Sequence, residues 1–104
     1  MKIELNVPDS IPLDPKVTRE MQAFLQAFVN RRCVGALRYG DRPQRRQKYM
    51  SRLEREVAAY RASGNFEQLL NVAVYCFLES VAPENRKLHW DAAVESITRV
   101  EFGV

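Results

Sequence analysis

The stretch Ser63-Gly64-Asn65-Phe66-Glu67-Gln68-Leu69-Leu70-Asn71-Val72-Ala73-Val74-Tyr75-Cys76-Phe77-Leu78-Glu79 decides the fold. It opens with a glycine suited to the left-handed cap that ends one helix. An asparagine suited to begin the next follows, with Gln68 three residues on in the capping-box relation. From Phe66 to Leu78 nearly every residue is apolar, the pattern of a central helix covered on most sides by others. Its polar exceptions, Glu67, Asn71, Tyr75 and Glu79, recur at steps of four and so form one slowly turning stripe. The spacing predicts a helix over about 66–80, ended by Ser80 to Pro83.

Upstream of Gly64, the residues Tyr49, Met50, Leu53, Val57 and Tyr60 share one face of a second helix over about 42–62, with Asp41 as its cap and Pro43 in its first turn. Further back, Asp14-Pro15 is a helix start, and Val17, Met21, Phe24, Leu25, Phe28, Val29 and Cys33 repeat at spacings of three and four. A first helix over about 14–33 follows, loosening at Gly35. Ahead of it, Ile3, Leu5 and Val7 alternate with polar residues until Pro8 and Pro12 intervene. A strand without a partner strand reads best as an extended arm over 1–13 lying on the helices. At the other end Trp90, Ala93, Val94 and Ile97 regain helical spacing and predict a short helix over about 88–100. The expectation is one all-α domain spanning residues 1–104, a four-helix bundle-like unit with an N-terminal arm.

At 104 residues, 46% apolar and 28% charged, the chain is too ordinary in composition for a disordered or fibrous protein. No apolar run nears the roughly 18 residues that span a bilayer, and Glu4 interrupts the start where a signal peptide is apolar, so a cytosolic protein with no membrane partner is expected. Cys33 and Cys76 fall in helix interiors and read as two buried thiols. Charge is unevenly spread. Between Arg31 and Arg61 stand ten basic residues and three acids, a local excess of seven against a net +3 for the whole chain. Arginine dominates that excess, and its planar fork suits phosphate and carboxylate.

Two constellations could carry chemistry. The first is basic: Arg38, Arg42, Arg45, Arg46 and Arg52, with Lys48 and Arg55 continuing the spacing, gathered about the start of the second helix where the helix dipole adds to their charge. The second is acidic. Glu56 lies on the apolar side of its helix between Leu53 and Tyr60, and a short antiparallel turn brings it toward Glu67. Glu56, Glu67 and Glu79 are therefore the alternative catalytic set, with Glu56 and Glu67 the alternative ligands for magnesium; a polar network of Glu56 with Arg or Tyr is the structural reading of the same residues. His89 is the single histidine, beside Trp90 in a packing role, which excludes a histidine-based zinc site. Ser63, Ser80 and Ser96 lack any nucleophile context, and there is no phosphate-binding or dinucleotide glycine loop.

The run from Tyr60 to Tyr75, with Phe77-Leu78-Glu79 and His89-Trp90, resembles small uncharacterised helical proteins of phages, prophages and actinobacteria. It also resembles, in degenerate form, the MazG-type all-alpha NTP pyrophosphatases. In that family acids on two adjacent helices hold magnesium. Here Glu67 matches the third ligand, Asn71 stands where an Asp belongs, and Arg52 and Leu53 occupy the place of the Glu that precedes Glu56. The resemblance implies a homodimer, in the host cytoplasm if phage-encoded, whose missing ligands leave a scaffold that binds without cutting. The expected function is thus a non-catalytic, cofactor-free interaction protein whose Arg-rich helix engages an anionic partner: a nucleotide, a nucleic acid or an acidic protein. The alternatives are a MazG-like magnesium-dependent pyrophosphohydrolase and a nucleic-acid-binding module.

Overall fold

A computed structural model describes residues 1–42 and 48–84. Within them the chain is all-helical, with three helices: α1 (Pro15–Tyr39), α2 (Tyr49–Ser63) and α3 (Phe66–Val81). Three helices, rather than the four of the expected bundle, make up the described residues; the helix expected over 88–100 lies outside them, as do Pro43, His89, Trp90 and Ser96. Contacts gather into two units, Met1–Asp41 and Arg42–Val104.

In the first unit the N-terminal residues form no strand. A turn at Asp9-Ser10 lets the Ile11 amide donate to the Pro8 carbonyl at 3.0 Å. The arm does not bury its alternating side chains as expected: Ile3, Leu5 and Val7 are all exposed. Asp14 caps α1 as its chemistry requires, its carboxylate accepting from the amides of Lys16 at 2.8 Å and Val17 at 3.1 Å, with Pro15 in the first turn. The helix then runs 25 residues, six beyond the expected end near Cys33. Gly35 does not stop it because a lone glycine costs only about 1 kcal/mol in a helix. The stop is Gly40, at φ 83°, whose amide donates to the Ala36 carbonyl at 2.9 Å. Asp41 then folds back to pair with the guanidinium of Arg32 instead of capping the next helix. No residue of α1 is fully buried; Val17, Met21 and Phe24 of its apolar stripe are exposed, while Leu25, Phe28 and Val29 are half-buried.

The second unit is built on a helical hairpin. α2 begins at Tyr49, seven residues later than the spacing suggested, because Lys48 stands before it in the left-handed region at φ 52°, ψ 62°. It ends as predicted at Gly64, φ 69° and ψ 14°, whose amide donates to the Tyr60 carbonyl at 2.7 Å. Asn65 starts α3 by accepting from the Glu67 amide at 2.9 Å. The capping box closes indirectly: the Asn65 amide donates to the Ser63 hydroxyl at 3.1 Å, and that hydroxyl, not the Asn65 amide, meets the Gln68 side chain. With only two residues between them α2 and α3 pack on one another, and Tyr49 at the start of α2 stacks on Tyr75 late in α3, ring centres 6.2 Å apart and 27° from parallel. Among the described residues, Tyr49, Leu70 and Ala82 are the buried apolar ones. Pro83 ends the run, holding Ala82 out of helical conformation at φ −131°, ψ 70°.

α3 is less covered than a central helix. Phe66, Leu69, Phe77 and Val81 are exposed on it. Both thiols are exposed as well, against the expectation that Cys33 and Cys76 are buried. For Cys76 and the other exposed side chains of α3 the reason is that an apolar helix needs neighbours on every side, and α2 is the helix of the described part of this unit that packs on it; Cys33 lies on α1, which has no fully buried residue.

Candidate functional site

The α2–α3 pairing decides which polar residues face inward. Tyr49, Arg52, Leu53, Glu56, Val57, Ala59 and Tyr60 are the buried or half-buried positions of α2, most of them on a face repeating at three and four, and Arg52 and Glu56 are carried on it one turn apart. On α3, Tyr75 meets Tyr49, so the stripe Glu67, Asn71, Tyr75, Glu79 lies toward α2. Asn71, Tyr75 and Glu79 are half-buried and Glu67 is exposed. Arg52, Glu67 and Asn71 each engage a partner. Arg52 is half-buried on the face of α2 that carries Tyr49, Leu53 and Glu56, whereas Arg42 and Lys48 are exposed.

The acidic residues are spread out. Glu67 and Glu79 stand twelve positions apart on one helix, about 18 Å along its axis at 1.5 Å per residue, too far to share an ion. Glu79 is already occupied: both its carboxylate oxygens accept from the Glu84 amide, at 2.9 and 3.2 Å, tying down the chain that leaves α3. No group of three or more His, Cys, Asp or Glu able to hold a metal ion occurs among the described residues. The Glu79 tie is a local cap that the sequence did not disclose, since a carboxylate reaching five residues forward past a proline has no fixed spacing signal.

The basic residues sit differently from one another. Arg38 is exposed in the last turn of α1, at the negative end of that helix dipole, and does not precede α2 as a first-turn residue would. Arg42 is exposed; Arg45 and Arg46 lie outside the described residues. Lys48 is exposed, and because it precedes the helix in left-handed conformation it cannot continue a helical spacing from Arg45 to Arg52. The start of α2 differs from the other two helix starts in that no side chain caps it, whereas Asp14 caps α1 and Asn65 caps α3. No helix among the described residues is long and apolar enough to cross a membrane. No family model, curated protein or solved structure matches the chain.

Proposed function

We propose that the protein is a non-catalytic helical interaction protein of the cytosol, working as a homodimer, that binds an anionic partner at the start of α2. The observation that carries this reading is Lys48. A lysine in the left-handed region costs on the order of 1 kcal/mol relative to glycine, and strain of this kind persists where a side chain is wanted for another purpose. Here it places an ammonium group at a helix start that no side chain caps, with Arg42, Arg45 and Arg46 in the six residues before it. Helix amides, dipole and basic side chains then act on one anion together. The excess of seven positive charges between Arg31 and Arg61 supplies the longer-range attraction. The hydrolase alternative lacks comparable support, since Glu67 and Glu79 are three turns apart and Glu79 is engaged with Glu84.

The test is fluorescence anisotropy of the full chain with three labelled probes: a single-stranded oligonucleotide, a nucleoside triphosphate and an acidic peptide. At least one is expected to bind, more weakly as salt rises. Arg42→Glu with Arg46→Glu should weaken that binding more than tenfold while helicity is unchanged. Undiminished binding by the double variant, or no binding of any probe, overturns the proposal.

A further inference from the structure

The chain has four tyrosines, Tyr39, Tyr49, Tyr60 and Tyr75, and the first two flank its most basic stretch, Arg38 to Lys48. The fold treats those two oppositely. Tyr49 is 5% exposed and stacked on Tyr75, so its ring belongs to the hairpin core. Tyr39, in the last turn of α1, is 85% exposed, while Tyr60 and Tyr75 are half-buried. Its neighbours along the chain are cationic: Arg38 precedes it, Arg42 follows three residues on, and both are exposed. Three residues of chain reach at most ~11 Å, so the Arg42 Cα lies within that distance of the Tyr39 Cα. Between positions 38 and 48 five basic residues stand against one acid, Asp41, whose charge is offset by its pairing with Arg32.

We infer that the anionic partner is a single-stranded nucleic acid, with one base stacked on Tyr39 and the phosphates beside it held by Arg42 and Lys48. This inference rests on the anion reading above and names its partner. Charge alone attracts any polyanion. A water-facing aromatic ring within a run of cations adds a flat surface, which a partner with flat rings of its own can use. The bases of a single strand offer those faces, whereas a duplex closes them between neighbouring bases. An acidic peptide would engage the cations and leave the ring idle. A lone nucleotide would use the ring but brings its phosphates to one point, whereas a strand offers one phosphate after another to cations spread along the chain. The helix dipoles fit the same division. The end of α1 is the negative end of its dipole, which disfavours a phosphate at Tyr39 itself and does not oppose a neutral base. The uncapped start of α2, with Lys48 before it, is a positive end and draws phosphate.

Fluorescence anisotropy of the full chain with two labelled strands of about 15 residues separates base from backbone: oligothymidylate, and an abasic deoxyribose-phosphate strand of equal length. Oligothymidylate should bind more tightly than the abasic strand at each salt concentration. Tyr39→Ala should weaken oligothymidylate binding by about 5- to 100-fold and leave the affinity for the abasic strand unchanged. The slope of log affinity against log salt should also stay the same, because it counts neutralised phosphates and not rings. Tyr39→Phe should keep the wild-type affinity, and with the side chain exposed both variants should retain helicity. Equal binding of the two strands, or a Tyr39→Ala variant that binds oligothymidylate undiminished, overturns the stacking and leaves the anion reading standing. A Tyr39→Phe variant as weak as Tyr39→Ala assigns the effect to the hydroxyl and overturns the stacking as well. Tighter binding of polyglutamate or adenosine triphosphate than of oligothymidylate at the same salt overturns the strand as partner, again with the anion reading intact. Binding of none of these probes overturns both.

Discussion

α1 and the α2–α3 hairpin are both helical but are held together by different means. α1 has 25 residues and not one fully buried side chain; what defines it is local, the Asp14 cap at one end, Gly40 at the other and the Arg32–Asp41 pair folded along its last turns. The hairpin has shorter helices, yet it buries Tyr49, Leu70 and Ala82 and stacks Tyr49 on Tyr75. Most of a helix's stability in a protein comes from packing of its apolar face, and α1 has no fully buried residue, so local devices matter most there, while the hairpin draws on contacts between residues distant in sequence. The same kind of substitution should therefore cost unequal amounts in the two regions.

The widest gap is expected between core truncations. Leu70→Ala removes a side chain 9% exposed and should destabilise by about 2–3 kcal/mol, at the lower end of the range for buried leucines. Leu25→Ala, on the half-buried face of α1, should cost about 1 kcal/mol or less. Urea unfolding followed by circular dichroism measures both. Equal losses would show that α1 is as deeply packed as the hairpin and would remove the distinction.

Caps should narrow the difference. Asp14→Ala and Asn65→Ala each remove a side-chain acceptor from helix amides, two amides for Asp14 and one for Asn65, and each should cost about 1 kcal/mol. Because α1 has no buried side chains to hold it, the Asp14 variant should also fray, seen as faster amide exchange over residues 15–18, whereas α3 should hold its first turn. Fraying confined to α3 would reverse the comparison.

These unequal supports also explain what could be read in the sequence. Asp14-Pro15, Gly64-Asn65 and Pro83 were legible because each acts within four residues of itself, and all three mark helix boundaries within a residue or two. The start of α2 was not legible. Asp41-Arg42-Pro43 has the composition of a helix start, but Asp41 is drawn to Arg32, nine residues back, and that competition leaves no trace in spacing. For the same reason the basic group could be found by counting charge but not arranged: Arg38 belongs to the end of α1, Arg52 to the inner face of α2, and Lys48 stands just before α2. The apolar character of α3 was plain, but whether its outer face meets another part of the chain or another molecule is not encoded in periodicity, and burial of Cys76 was wrongly inferred from it.

The smallest effect expected is a gain. Gly35 lies inside α1, and a methyl group added there would meet nothing within 4 Å. Its backbone is not in the left-handed region that Gly40 and Gly64 occupy, so neither space nor conformation requires a glycine. Alanine at this position removes freedom from the unfolded chain and raises helix propensity without creating strain, and Gly35→Ala should stabilise by about 0.5–1 kcal/mol. The substitution acts where local propensity outweighs packing, so the gain should appear as slower amide exchange across the second half of α1 and leave the hairpin's exchange unchanged. A destabilised Gly35→Ala variant would mean that something approaches α1 closely at this point, and α1 would then have to be counted with the packed helices instead of the locally supported ones.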